Sequence, residues 1–166
     1  LPIVLVSIIF IFLEDKKNVI YKQDRVGLNQ NIYTIYKLRT MRFNAENGNP
    51  QWATKNDKRI TKVGRFLRKT RIDELPQLIS VIKGDMSLIG PRPERKLIDD
   101  ALIKEIPNYN IRYFLRPGLS GWAQVNYPYG SSVEDSRIKL SYDIYYLKNF
   151  SIWLDILIFF KTIRLV

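Results

Sequence analysis

An apolar segment at each end of the chain most constrains its fold. Residues 1–13 (LPIVLVSIIFIFL) carry one polar side chain, that of Ser7. A helix of this length reaches only about 20 Å at ~1.5 Å per residue, whereas the bilayer hydrocarbon is roughly 30 Å thick. The segment therefore cannot span a membrane by itself. Two interpretations stay open: a buried core strand or helix, and the second half of a re-entrant or interfacial membrane helix.

The C-terminal residues 150–166 predict an amphipathic helix, in which Asp155 and Lys161 interrupt the apolar surface. Trp153, Lys161 and Arg164 suit a helix at the headgroup boundary, because indole rings and long cationic side chains reach the wet edge there. An amphipathic core helix fits the same pattern. Two such segments in one small basic chain favour the membrane surface. The apolar positions at helical spacing are Ile152, Ile156, Phe159, Phe160 and Ile163.

The composition restricts the available chemistry. The 166 residues include no cysteine and no histidine, which excludes disulfides, thiol nucleophiles, cysteine zinc sites and imidazole catalysis. Catalysis must then use carboxylates, Lys, Arg, Tyr, hydroxyls, backbone groups and a hard metal such as Mg²⁺. The net charge of +11 points to nucleic acid, an anionic membrane or phosphorylated substrates. The length predicts one domain with one modest core.

Between the ends, the pattern predicts an α+β fold that is mostly helical with a short β-hairpin. Residues 19–21 and 31–38 carry β-branched and aromatic side chains around a turn at Gly27, Leu28 and Asn29. Residues 43–56 are polar and predict an exposed loop. Residues 60–69 and 72–83 predict helices, the second ended by Gly84. Its expected apolar face comprises Ile72, Leu75, Leu78, Ile79 and Ile82.

Residues 55–71 hold eight Lys and Arg side chains against one acid, Asp57. Such a run is usually a solvated helix face, but the scarcity of acidic partners favours an external anion. A nucleic-acid-binding module would use this run together with Trp52 and Tyr109 as stacking aromatics. That alternative assigns no role to Asp73 or Glu74.

Asp73 and Glu74 follow the basic run directly, with Pro76 early in the same predicted helix. Acidic side chains in a first helical turn commonly satisfy free backbone amides and the helix dipole. Neighbouring residues on a helix diverge by about 100°, so these two cannot share one proton face to face, but they could act as nucleophile and metal ligand. Downstream, prolines on both sides of Arg92 restrict the backbone and suit phosphate recognition by the guanidinium.

In chain order, several strings together resemble the bacterial sugar transferase family, the monotopic phosphoglycosyl transferases that begin exopolysaccharide, capsule and O-antigen assembly. The resemblance covers nearly the whole chain. The strings are Gln23-Asp24-Arg25-Val26-Gly27, Tyr36-Lys37-Leu38-Arg39-Thr40-Met41, Arg71-Ile72-Asp73-Glu74-Leu75-Pro76-Gln77, Gly84-Asp85-Met86-Ser87 through Gly90-Pro91-Arg92-Pro93, Arg116-Pro117-Gly118 through Asn126, and Tyr142-Asp143-Ile144-Tyr145-Tyr146.

The resemblance implies transfer of a sugar phosphate from a UDP-sugar to polyprenyl (undecaprenyl) phosphate, with release of UMP and a requirement for Mg²⁺. It implies that Asp73 is the nucleophile that carries a covalent phosphosugar and that Glu74 binds the metal. Arg92 would hold the nucleotide diphosphate. Further positions that match those kept around the family's active site, as phosphate- or nucleotide-binding residues, are Lys37, Arg39, Arg68 and Asp143.

The resemblance also implies where the protein works. Residues 1–13 would be the second half of a re-entrant helix, and residues 14–166 a catalytic domain facing the cytoplasm from the inner membrane, with a C-terminal amphipathic helix. The expected partners are the two substrates and membrane lipid, not nucleic acid, and a homo-oligomer is compatible with this arrangement. The alternative of a non-catalytic, membrane-associated scaffold would keep lipid binding without turnover, and the intact Asp73–Glu74 pair argues against it. The chain departs from the family at Leu1, where serine is usual, and residues 126–130 favour a hexose and a longer parent chain.

Overall fold

The computed structural model describes residues 2–45, 57–128, 130 and 132–165. Within these ranges the chain is mostly helical, with two two-stranded sheets, so the α+β prediction is confirmed. The helices and strands are α1 (Pro2–Asp15), β1 (Ile20–Val26), β2 (Ile32–Leu38), α2 (Lys62–Lys69), α3 (Leu78–Lys83), β3 (Ser87–Ile89), α4 (Lys96–Glu105), β4 (Gly118–Ser120), α5 (Trp122–Asn126), α6 (Val133–Lys148) and α7 (Ile152–Leu165), with 3-10 helices at Leu28–Gln30, Ile72–Gln77 and Tyr109–Phe114.

Two compact units divide the chain. Unit 1 comprises Leu1–Gln23 and Ile35–Ile79, and unit 2 comprises Asp24–Thr34 and Ser80–Val166. Each has its own cluster of buried apolar side chains, so the prediction of a single core is wrong. The sequence could not reveal this division, because the single strand β1 contributes Ile20 to one cluster and Val26 to the other.

Unit 1 is built around α1, α2, the base of the hairpin and the 72–77 helix. Its buried cluster comprises Ile11, Leu38, Leu67 and Ile72. The N-terminus of α2 is capped by the Thr61 side chain, which accepts from the Gly64 amide at 2.9 Å. A β-carbon at Gly64 would lie 2.0 Å from the Thr40 carbonyl oxygen, so only glycine lets α2 cross the backbone this closely.

The local predictions for unit 1 are confirmed with shifted boundaries. The hairpin and the helix predicted at 60–69 are present. The helix predicted at 72–83 begins as a 3-10 helix and becomes α3 at Leu78. Because a 3-10 helix has three residues per turn, the predicted single apolar face is wrong: Ile72 and Leu75 pack on the core, whereas Ile79 and Ile82 are exposed. Of the loop predicted at 43–56, residues 46–56 lie outside the described residues.

Unit 2 holds α4, α5, α6, α7 and the 109–114 helix. Its core packs Val26, Leu102, Tyr109 and Leu140 together with neighbouring apolar side chains. The strands β3 and β4 pair in parallel, with Ser87 opposite Gly118 and Ile89 opposite Ser120. Ser132 and Asp135 form a reciprocal capping box at the N-terminus of α6, which satisfies two backbone amides.

Each unit carries one helix whose apolar side chains face outward. In α1, only Ser7 and Ile11 are buried, and Ile9, Phe10 and Leu13 are more than half exposed. In α7 the pattern is inverted, because the predicted apolar positions are exposed while polar side chains turn inward. Lys161, predicted to suit the headgroup boundary, donates to Asn126 Oδ1 at 2.7 Å. None of the helices in the described residues has both the length and the apolar character needed to cross a membrane.

Candidate functional site

The acid pair lies in the first turn of the 72–77 helix in unit 1. Arg71 precedes this helix in the left-handed conformation, with φ of 56°, and so turns the chain sharply after α2. Asp73 and Glu74 are 7% and 8% exposed. Carboxyl groups at this depth need partners, because burial of a charged group without compensation is costly.

Glu74 is compensated and its surroundings are basic. Lys37 Nζ from β2 donates to Glu74 Oε1 at 2.7 Å, and both side chains are largely buried. Arg68, in the last turn of α2, donates from Nε to Thr40 Oγ1 at 2.8 Å. The close approach of α2 at Gly64 is what brings Arg68 to this strand end.

Asp73 is not compensated in the same way. Its Oδ1 atom is buried and has no hydrogen-bond partner. Burial raises the pKa of Asp73 to about 6, and the neighbouring Glu74 charge adds to the rise, while Lys37, Arg68 and Arg71 oppose it. At neutral pH the group is therefore an ionised carboxylate that is poorly solvated, which is the state expected of a nucleophile.

Arg39 follows the last residue of β2 and is also paired. Its buried guanidinium forms an ion pair with the partly exposed Asp15 at the end of α1. One residue earlier, Glu14 Oε1 accepts from the amide of Lys62, the first residue of α2, at 2.9 Å. The two acids thus fasten the end of α1 to the elements that carry Lys37 and Arg68.

The donor set of the acid pair suits a hard cation. Mg²⁺ takes one or two carboxylates and completes its shell with water and substrate phosphates. The unpartnered Oδ1 of Asp73 beside the Glu74 carboxylate fits that requirement. No group of three or more acidic side chains that could form an all-protein cage occurs in the described part of the chain.

Unit 2 contains a second buried cluster, centred on Arg112 of the 109–114 helix. Arg112 Nη2 lies 3.1 Å from Asp143 Oδ2 of α6 and donates to the Arg92 carbonyl oxygen at 2.5 Å. Its Nη1 donates to the Tyr109 hydroxyl. Burial raises the pKa of Asp143 to about 6, although Arg112 opposes the shift.

The family model of the bacterial sugar transferases matches the whole chain, residues 1–166. The chain belongs to the bacterial sugar transferase family. The predicted resemblance is therefore confirmed.

Curated relatives of this sugar transferase chain are similar over most of its length. It is 50% identical over 165 residues to a UDP-N-acetylgalactosamine-undecaprenyl-phosphate N-acetylgalactosaminephosphotransferase from Aeromonas hydrophila, covering 99% of the chain and 39% of that protein. It is 42% identical to a UDP-glucose:undecaprenyl-phosphate glucose-1-phosphate transferase from Caulobacter vibrioides, covering 98% and 61%. A protein of the same name from Escherichia coli is 38% identical, covering 87% and 32%. The chain thus spans between a third and three fifths of their lengths.

The predicted site residues of this transferase chain fall into two groups. Asp73, Glu74, Lys37, Arg68 and Arg39 lie in unit 1, where Lys37 contacts Glu74 directly. The others, Arg92 and Asp143, lie in unit 2 and are joined through Arg112.

The sequence interpretation missed Arg112 and Asp15. Arg112 stands alone among apolar and aromatic side chains in Asn110-Ile111-Arg112-Tyr113-Phe114, and a lone Arg in such a run indicates a buried charge with a distant partner. The stacking role considered for Tyr109 is wrong, because its ring is 2% exposed and belongs to the core. Trp52 lies outside the described residues.

Proposed function

We propose that the chain is the catalytic part of a UDP-sugar:undecaprenyl-phosphate sugar-phosphate transferase that starts polysaccharide synthesis at a membrane. The observation that carries the proposal is the buried Asp73 carboxyl, with one unpartnered oxygen and a raised pKa beside the Lys37–Glu74 pair. The names of the relatives support the same reaction class, since each transfers a sugar phosphate to undecaprenyl phosphate.

The proposed reaction has two displacements at one phosphorus atom. The Asp73 carboxylate attacks the sugar-bearing phosphorus of the UDP-sugar, and the bond to the bridging oxygen breaks so that UMP leaves with that oxygen. An oxygen of undecaprenyl phosphate then attacks the same phosphorus, and Asp73 leaves as a carboxylate. This sequence yields the undecaprenyl diphosphate sugar and needs neither histidine nor cysteine.

Each step transfers negative charge between phosphates, and the nearby basic side chains suit that task. Lys37 holds Glu74 in place, and the positive charges of Arg68 and Arg71 favour ionised Asp73. Glu74 and Asp73 would hold Mg²⁺, which supplies charge neutralisation at the phosphates when bound. In unit 2, Arg92 would bind the nucleotide diphosphate through its guanidinium.

We further propose that the outward apolar faces of α1 and α7 lie in the headgroup region of the inner membrane. Phe10, Leu13, Trp153 and Phe160 are 51% or more exposed, and exposed apolar side chains in water are unfavourable. A polyprenyl substrate resides in such a membrane, and UDP-sugars are made in the cytoplasm. Both facts favour an active site on the cytoplasmic side.

The deciding experiment measures UMP release from UDP-glucose, UDP-galactose and UDP-N-acetylgalactosamine by the full-length protein in detergent. We expect release from one of these sugars that requires both Mg²⁺ and undecaprenyl phosphate for turnover. With a sugar-labelled donor and no lipid acceptor, we expect a covalent adduct on wild-type protein and none on Asp73→Asn. Asp100→Asn is the matched control, because this carboxylate is exposed on α4 and pairs only with Lys96 among the contacts described. Absence of release with all three donors would contradict the proposal.

A further inference from the structure

The backbone of residues 91–94 is held in place by hydrogen bonds that its carbonyl oxygens accept. At its start, the Pro91 carbonyl accepts from the Gly118 amide at 2.9 Å, and at its end the Glu94 carbonyl accepts from the Val26 amide at 3.1 Å. A β-carbon at Gly118 would lie 2.1 Å from the Gly90 amide nitrogen, so the two backbones approach as closely as glycine allows. Both outer carbonyls are therefore fixed by main-chain donors.

The two inner carbonyls are fixed by arginine side chains. Arg112 Nη2 donates to the Arg92 carbonyl at 2.5 Å, and Arg25 Nη1 donates to the Pro93 carbonyl at 2.8 Å. Four successive carbonyls, from Pro91 to Glu94, thus accept hydrogen bonds from three separate segments of unit 2. Since the residues on both sides of Arg92 are prolines with restricted φ, little backbone freedom is left to Arg92 itself.

Arg112 is suited to this task because it is buried and oriented from several sides. Asp143 Oδ2 lies 3.1 Å from the same Nη2 atom that binds the Arg92 carbonyl. The guanidinium carbon lies 5.0 Å from the Tyr109 ring centroid, and Nη1 donates to the hydroxyl of that ring. The Arg92 side chain is only partly buried, in contrast to its fixed carbonyl.

We propose that Arg112 is a positioning residue for substrate binding: held by Asp143 and Tyr109, it fixes the Arg92 carbonyl and so directs the Arg92 guanidinium toward the diphosphate of the nucleotide sugar. The inference rests on the proposed function. It gives Asp143 a role through Arg112, without contact with the nucleotide.

A double-mutant cycle in the full-length protein tests this inference. Arg112→Lys keeps the charge opposite Asp143 but loses the planar fork that reaches several partners at once. Because a hydrogen bond from a charged group contributes about 1.5–3 kcal/mol, we expect kcat/KM for UMP release to fall about tenfold to a hundredfold. Arg92→Ala should lose at least as much. If Arg112 acts through Arg92, the double variant should match Arg92→Ala within about threefold.

Multiplication of the two single losses in the double variant would overturn the inference, because a merely structural role acts independently of Arg92. Arg137→Lys is the matched control, since the Arg137 side chain is exposed on α6 and this variant should leave kcat/KM unchanged. If Arg112→Lys fails to unfold cooperatively, Tyr109→Phe takes its place, because it removes the acceptor of Nη1 and retains the ring.

UDP binding by calorimetry on the same four proteins separates this inference from the proposed function. Wild-type protein that binds UDP but releases no UMP from any donor would contradict the proposed transferase activity. In that case a double-mutant cycle on the UDP dissociation constants of the four proteins would still test the positioning role. We expect the same non-additive pattern in binding. Wild-type protein without measurable UDP affinity would overturn both.

Discussion

Asp73 of unit 1 and Asp143 of unit 2 are both buried, and burial raises the pKa of each to about 6. Their surroundings differ. Asp143 pairs with the Arg112 guanidinium, whereas Asp73 keeps a buried oxygen without a partner and has Glu74 as its neighbour. The same titration shift therefore accompanies a supporting ion pair in one unit and a candidate nucleophile in the other. Geometry, and not the pKa, distinguishes their roles.

The two clusters are also built alike. Each is carried by a six-residue 3-10 helix that follows a residue in the left-handed conformation: Arg71 before Ile72–Gln77, and Asn108 before Tyr109–Phe114. In the 72–77 helix the first turn presents two buried acids. In the 109–114 helix the first turn contributes the buried Tyr109, and Arg112 lies in the last turn.

The largest expected difference between Asp73 and Asp143 is the loss of UMP release when each is replaced by asparagine. We expect Asp73→Asn to reduce UMP release about 10⁴-fold or more, because an amide cannot form the covalent intermediate. Asp143→Asn should reduce it only about tenfold to a hundredfold, since Asp143 acts through Arg112. Initial rates at 15 °C, with folding checked by circular dichroism, measure both. Equal losses in two folded variants would contradict the proposed difference.

The same two variants should change the free energy of unfolding in opposite directions. The pKa of Asp73 in the folded state lies above the ordinary value of 3.8, so the folded state binds more protons and the free energy of unfolding falls as pH rises from about 4 to 6. Asp73→Asn removes this penalty and should raise the free energy of unfolding by about 3 kcal/mol at pH 7.5, with no gain at pH 3. Asp143→Asn removes a similar penalty but leaves Arg112 buried without its counter-ion, which costs about 3–5 kcal/mol, so the net effect should be a loss of up to about 2 kcal/mol at pH 7.5. Urea unfolding at the two pH values measures both, and destabilisation by both variants at pH 7.5 would contradict the assignment.

The pH dependence of the first chemical step tests the surroundings of Asp73. Single-turnover UMP release should rise with pH around a midpoint of about 6 and fall about tenfold per unit below pH 5, because only the ionised carboxylate attacks. Carbon-13 NMR of the Asp73 carboxyl should show its pKa rising in Lys37→Met and falling in Glu74→Gln, following the sign of each neighbouring charge. Lys139→Met in unit 2 is the control and should leave the pKa of Asp73 unchanged. A midpoint that neither neighbouring variant moves would contradict this account.

The sequence predicted the parts of this architecture that depend on neighbouring residues. Asp73, Glu74 and the basic charges around them follow one another closely along the chain, and their pattern pointed to phosphate chemistry. Long-range pairs were not predictable in this way, because nothing local links Arg112 with Asp143 or Arg39 with Asp15. The 3-10 geometry was also missed, since its apolar spacing over six residues resembles that of an α-helix.

The backbone at the start of the two 3-10 helices offers the smallest and most specific test of the comparison. A left-handed conformation costs roughly 1–2 kcal/mol for an ordinary L-residue and less for asparagine. Arg71, with φ of 56°, and Asn108, with φ of 61°, should therefore respond differently to glycine. After allowing for the greater freedom of glycine in the unfolded chain, we expect Arg71→Gly to raise the free energy of unfolding by about 1 kcal/mol and Asn108→Gly to change it by less than about 0.5 kcal/mol. Arg71→Ala removes the same charge but keeps the steric conflict, so urea unfolding should show no gain for it. A gain for Arg71→Ala equal to that for Arg71→Gly would assign the effect to charge instead of backbone conformation.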